Sequence, residues 1–184
     1  MLDDKQILEL IQSRKTRERG FRELVTLTKE KLYWQIRKMV FTHEDADDLL
    51  QEVYIKVFRG ISSFKGDSSL TTWVYRIAYN ETINFLKSKS WQKKLNDVSL
   101  DMVEWQKSTN GASLDANKLE KIIQKAIAEL PDKQRAVFTM RYYNEVPFKE
   151  MEQIMQTSES ALKTSYHIAE KKIKEILLQQ GLNF

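Results

Sequence analysis

The chain has 184 residues, 41% of them hydrophobic, with only 5 Gly and 2 Pro; so few breakers argue against a strand-and-turn architecture and for helices joined by short turns. There is no cysteine, which excludes disulfides and thiolate metal sites and fits a reducing cytoplasm. The formal net charge of +4 is compatible with a nucleic-acid partner but too small to establish one.

No signal-peptide pattern opens the chain, and no apolar run approaches the ~20 residues of a membrane span. A cytoplasmic protein without membrane insertion is expected. Residues 3–89 are helical in pattern, with one clear break at Phe64-Lys65-Gly66-Asp67-Ser68-Ser69. Thr42 followed by Asp45 has the spacing of a variant capping box. The helix behind it places Ala46, Leu49, Leu50, Val53 and Val57 on an inner face. Asp48, Gln51, Glu52, Ile55 and Arg59 project outward. An exposed Ile among carboxylates and an amide points to an interface. The neighbouring acids Glu44, Asp45 and Asp47 do not make a metal site: the chain holds no Glu-x-x-His pair, and acids at a helix N-terminus are expected from the dipole.

The helix at about 70–87 is aromatic and basic. Trp73, Val74, Ile77 and Ala78 form a core stripe, which leaves Tyr75, Arg76, Tyr79 and Asn80 less obviously buried. With Lys87, Lys89, Lys93 and Lys94 beyond, this surface suits stacking on unpaired bases; packing of all the aromatics in a core fits the pattern equally well. Residues 90–118 are dominated by Ser, Asn, Asp, Lys and Gln, with Trp91 and Trp105 isolated among them and a turn signal at Asn110-Gly111. They are expected to form a flexible linker.

From Leu119 the helical period returns in Leu119, Ile122, Ile123, Ala126 and Ile127. Leu130-Pro131 opens a helix. A short one follows Pro147, with Phe148, Met151, Ile154 and Met155 in one stripe. After Gln156-Thr157, Ser158 is a good N-cap for a third helix whose first turn contains Glu159. This is helix-turn-helix spacing. On the third helix Leu162, Tyr166, Ala169, Ile173, Ile176 and Leu177 share one side. Ser160, Lys163, Thr164, His167, Lys171 and Lys174 share the other. Small polar groups first and lysines later is the order a recognition helix needs, although an ordinary solvated helix has the same period. The expected fold is all-α: two small helical domains at 1–89 and 119–184 joined by a flexible linker at 90–118, the C-terminal one a helix-turn-helix.

Asp47-Asp48-Leu49-Leu50-Gln51-Glu52-Val53-Tyr54 resembles the core-polymerase-binding helix of sigma factors. The run from Phe64 through Ser69 to Trp73-Val74-Tyr75-Arg76-Ile77-Ala78-Tyr79-Asn80 is similar to their −10 recognition loop and helix. Leu130-Pro131 with Arg135, Val137 and Phe138, then Ala161-Leu162-Lys163-Thr164, resembles their −35 helix-turn-helix. Size and plan are those of the extracytoplasmic-function (ECF) group of the sigma-70 family. The family usually carries more arginine in the recognition helix, where this chain has Ser165, Ile168 and Glu170.

The resemblance implies that Asp48, Gln51, Glu52 and Ile55 bind core RNA polymerase. It implies that Phe64, Lys65, Gly66, Asp67, Ser68 and Ser69 form a pocket for a flipped −10 base, supported by Trp73, Arg76, Tyr79, Asn80 and Asn84. Ser158, Ser160, Ala161, Lys163, Thr164, His167 and Lys171 would meet the −35 element. The implied partners are core RNA polymerase, promoter DNA and, as often in the family, an anti-sigma protein. No catalytic residue, metal or cofactor is implied; catalysis belongs to the polymerase. The rival reading is an autonomous helix-turn-helix regulator, which leaves the acidic and aromatic helices unexplained. A small metal-dependent hydrolase is disfavoured by the lack of Cys, paired His and phosphate-binding Gly loops.

Overall fold

The computed structural model describes residues 2–40, 42–91 and 122–179. Among them every regular element is helical. In chain order these are α1 (Asp4–Gln12), α2 (Arg17–Arg37), α3 (His43–Gly60), a 3-10 turn (Ile61–Ser63), α4 (Leu70–Leu86), α5 (Asp132–Tyr142), α6 (Phe148–Met155) and α7 (Glu159–Gln179). Residues 89–91 and 122–128 are also helical.

Side-chain caps start the helices where the sequence supplies them. Asp3 and Gln6 form a reciprocal capping box on α1, and the Ser69 hydroxyl accepts from Thr72 N at the start of α4. Thr42 Oγ1 accepts from Asp45 N at 3.1 Å, and the Thr42 hydroxyl donates in turn to the Asp45 carboxylate. The expectation of a single break before residue 89 is corrected. The chain also turns at residues 13–16 and 38–40. The first turn folds α1 back onto α2, where Gly20 lies so close that a Cβ would stand 2.8 Å from the Ile11 backbone nitrogen. The sequence pattern misses this turn because both helices are amphipathic and it contains neither Gly nor Pro.

The N-terminal half packs Ile7, Leu24, Leu32, Ile36, Ala46, Leu50, Val53, Val57, Val74 and Ala78 into one core. Trp91, read from sequence as an isolated linker residue, is only 2% exposed and lies on the Phe85 ring, with centroids 5.2 Å apart. It belongs to this half. The rest of the expected linker, with Trp105 and Asn110-Gly111, lies outside the described residues, as does Leu119 at the start of the expected C-terminal domain. In the C-terminal half, Ala126, Ile127, Leu130, Phe138, Ala169, Ile173 and Leu177 form a second core.

The two halves pack against each other. Ala136, Val137, Met140, Met151, Ile154 and Met155 join the N-terminal core. Tyr75 and Tyr79, expected to be less buried, are 5% and 8% exposed. The physical reason is that α4 is covered twice, by α2 and α3 on one side and by α5 and α6 on another. Burial pushes both phenol pKa values up, with the Asp132 carboxylate adding to the effect at Tyr79 and Glu150 at Tyr75.

Polar groups line the seam. Arg135 is buried; its guanidinium donates to the carbonyls of Met39 (3.0 Å), Ala128 (2.8 Å) and Leu130 (3.1 Å). Burial lowers its pKa, and Asp132, 3.7 Å away, opposes that. Lys38 Nζ sits 3.9 Å from the centre of the Tyr143 ring. Thr72 Oγ1 donates to Glu150 Oε1 at 3.3 Å. Arg135→Ala removes the donor from three carbonyls, that of Met39 across the seam and those of Ala128 and Leu130 within its own half, so we expect it to destabilise the fold by about 3 kcal/mol. Urea unfolding followed by circular dichroism measures this; a midpoint equal to that of the parent protein would contradict the clasp.

Candidate nucleic-acid interface

Three surfaces carry the residues singled out from sequence. The first is the outer face of α3. Asp48, Gln51, Glu52, Ile55 and Arg59 are all exposed, while Ala46, Leu49, Leu50, Val53 and Val57 are buried beneath them. Ile55 is 43% exposed, and Phe58, which the sequence reading passed over, is 44% exposed. The Phe58 ring meets Phe21 edge-on at 5.2 Å, and the Arg17 guanidinium covers it at 5.1 Å. Its position three residues after Ile55 was the available signal. Lys56 pairs with Glu81, tying this helix to α4. An acidic and apolar stripe of this kind offers a protein partner both charge complementarity and desolvated area.

The second surface is the loop between the 3-10 turn and α4. Phe64 is anchored on Trp73, ring centroids 5.4 Å apart. Lys65, Gly66, Asp67 and Ser69 are exposed. Gly66 has φ +81°, the left-handed region that a side chain disfavours, and no atom lies near enough to meet a Cβ there. Ser69 ends the loop by capping α4, and its hydroxyl donates to Thr72 Oγ1 at 2.7 Å. A second anchor was invisible in the sequence. Asp4 on α1 accepts from Thr71 N (2.9 Å) and Thr71 Oγ1 (2.6 Å), fixing the loop's exit from 67 positions earlier in the chain.

Along α4, Trp73, Arg76, Asn80 and Asn84 recur at helical spacing on one stripe. The first two are half-buried and the asparagines exposed. The stripe is continuous with the loop. Tyr79 is not on it: one residue before Asn80, it turns into the seam against the C-terminal half. The arrangement therefore brings the loop, Trp73, Arg76, Asn80 and Asn84 together and leaves Tyr79 out.

The third surface is the outer face of α7. Ser158 Oγ accepts from Ala161 N at 3.4 Å, as an N-cap does. Gln156, with φ 51°, makes the left-handed turn that ends α6. Ser160, Ala161, Lys163, Thr164, His167, Lys171 and Lys174 are exposed; Leu162, Ala169, Ile173 and Leu177 are buried. The face is laced with ion pairs: Lys163 to Glu159 (2.6 Å), Lys174 to Glu170 (3.4 Å) and Lys171 to Glu175 (3.9 Å). Exposed pairs of this kind contribute little to stability and exchange readily for phosphate contacts.

A helix-turn-helix, a separate helix with an exposed acidic and apolar face, and a half-aromatic polar stripe with its loop together have the makeup of a helical DNA-binding factor with a second, protein-facing surface. Family comparison places it within that class. Residues 24–92 match Sigma-70 region 2 and residues 120–173 match Sigma-70 region 4. The chain belongs to the sigma-70 family, in the ECF group. It is 25% identical to the RNA polymerase sigma-H factor of Pseudomonas aeruginosa, over 95% of this chain and 93% of that one. It is 28% identical to the ECF RNA polymerase sigma factor SigW of Bacillus subtilis, over 90% and 93%. The fold is similar to that of CnrH in complex with the cytosolic domain of CnrY (TM-score 0.68, 17% identity, 95% of this chain and 96% of that one). It is also similar to that of the sigma factor RpoE of Bartonella quintana in complex with the anti-sigma factor NepR (TM-score 0.67, 20% identity, 85% and 96%).

The chain is thus an RNA polymerase sigma factor: it binds core polymerase, recognises promoter elements and initiates transcription. The family acts as non-catalytic initiation factors. Nothing favours an autonomous regulator. Among the described residues no helix is long and apolar enough to cross a membrane.

Proposed function

We propose that the three surfaces divide the sigma-factor task among themselves, and the observation that carries this is their separation. Asp48, Gln51, Glu52 and Ile55, with Phe58 added, dock core polymerase. Phe64 to Ser69, with Trp73, Arg76, Asn80 and Asn84, capture a base and the opened strand at −10. Ser158, Ser160, Ala161, Lys163, Thr164, His167 and Lys171 meet the −35 element. DNA opening costs stacking energy, and a base held on an aromatic and polar surface offsets roughly 1–3 kcal/mol of it. The chain makes and breaks no bond; that chemistry belongs to the polymerase.

Residues 1–89, with Trp91 added, and 119–184 act as two units with the rest of 90–118 as the connection, and the protein works in the cytoplasm. A protein inhibitor of the anti-sigma kind is a further partner; one structural relative is bound to an anti-sigma factor, and the seam between the halves offers a surface that exists only in the packed form.

Binding to core polymerase, read by fluorescence anisotropy, tests the docking face. Asp48→Lys and Gln51→Ala are expected to weaken it while the helical circular dichroism stays unchanged, since both side chains are exposed. Unfolding without a separate binding defect would refute the outward role. Lys171→Ala is expected to weaken promoter binding on all sequences alike and to lower the salt slope by about one. An unchanged slope would take Lys171 off the contact surface.

A further inference from the structure

The outer face of α7 carries two exposed large apolar groups, Leu178 in the last turn of the helix and Ile168 beside the small polar groups of its first half. Ile168 is 42% exposed and is not among the apolar side chains packed on either core. Its helical neighbours at i−4, i−3, i+3 and i+4 are Thr164, Ser165, Lys171 and Lys172, so no apolar side chain on its own helix covers it. Tyr142, another exposed apolar residue of this half, at least stacks on Phe138, with centroids 5.1 Å apart.

Projection at 100° per residue puts Ile168 on the same outer side as Ser160, Thr164 and Lys171. Thr164 Oγ1 donates to the Ser160 carbonyl at 3.1 Å. With its hydroxyl engaged by the helix, Thr164 has its methyl as the free group, one turn from Ile168.

The polar equipment of this face points away from guanine. Residues 159–179 contain no arginine, the residue that reads guanine O6 and N7 most often. Lys163, Lys171 and Lys174 each face a carboxylate of their own helix. Among the four bases only thymine presents an apolar group, its C5-methyl, in the major groove. We propose that Ile168, flanked by the Thr164 methyl, reads a thymine methyl in the −35 element, so that this chain's upstream specificity rests on apolar contact where an arginine-rich helix would use hydrogen bonds. The proposal rests on α7 being the recognition helix.

Uracil differs from thymine by that methyl alone, which makes the test direct. Full-length chain with core polymerase selects binders from promoter-length duplex libraries randomised upstream, one synthesised with thymine and one with uracil. At one −35 position thymine is expected to be favoured, and its replacement by uracil to reduce selection about fourfold, the equivalent of one buried methyl-sized group. Ile168→Ser, an exposed change, should erase the thymine–uracil difference there, while Lys171→Ala should keep it.

Equal selection of thymine and uracil at every upstream position overturns the proposal, as does a methyl effect that survives in Ile168→Ser. If Ser160→Ala nonetheless changes base preference, the recognition-helix reading stands and only the methyl contact falls. If Ser160, Thr164 and Ile168 substitutions all leave upstream preference untouched, both fall.

Discussion

Linking positions 38 and 143 covalently is expected to abolish initiation. In the packed form Lys38 Nζ lies 3.9 Å from the Tyr143 ring centre, and Arg135 grips the next carbonyl, that of Met39, from the other half. Elements named −10 and −35 lie about 25 base pairs apart, roughly 85 Å along B-form DNA. The α7 helix, with 21 residues, is only about 32 Å long. With α4 and α6 in contact, the loop at 64–69 and the outer face of α7 cannot reach both elements at once. The chain from Trp91 to Ile122, at about 3.3–3.6 Å per residue, is covalently long enough to allow it once the halves part.

The protein has no cysteine, so Lys38→Cys with Tyr143→Cys gives a unique pair for a short bifunctional maleimide. The linked protein should yield almost no promoter-dependent transcript. The same double variant left unlinked, and each single variant after reagent, should remain active. Core-polymerase binding should largely survive, because the outer face of α3 is exposed in the packed form. Full transcription from the linked protein would show that the halves need not separate.

The second large effect is expected at Gly66. Its φ of +81° costs a side-chain-bearing residue about 1–2 kcal/mol, although space for a Cβ is open. Gly66→Val should reshape the loop and lower initiation on duplex promoters by on the order of tenfold, the rate equivalent of that energy. Gly66→Asn, which tolerates the left-handed region better, should lose less. A template already unpaired at −10 should partly rescue both, since the opening cost has been removed in advance. Equal losses on paired and unpaired templates, with no change in the base preferred, would reduce the loop to a start signal for α4. The ordering Val below Asn below Gly separates backbone geometry from steric bulk, because nothing lies near enough to clash.

Features that depend on neighbours one helical turn away can be read from the chain alone. The inner and outer faces of α3 and α7 follow from residues at i, i+3 and i+4, and every outward residue named on α3 is exposed. The caps Thr42 and Ser158 were legible for the same reason, each bonding a backbone N–H three residues on. The motif runs carried the family.

Tertiary structure decided the rest. Whether an aromatic on α4 is covered depends on which helices pack on it, and α5 and α6 arrive from more than forty residues away; Tyr75 and Tyr79, expected to be less buried, are therefore buried, while Asn80 is exposed. Asp4 holds the loop exit across 67 positions, and Arg135 reaches Met39 across 96. No local period encodes such pairs. Their energy comes from burying polar groups against specific partners, and those partners exist only once the chain has folded.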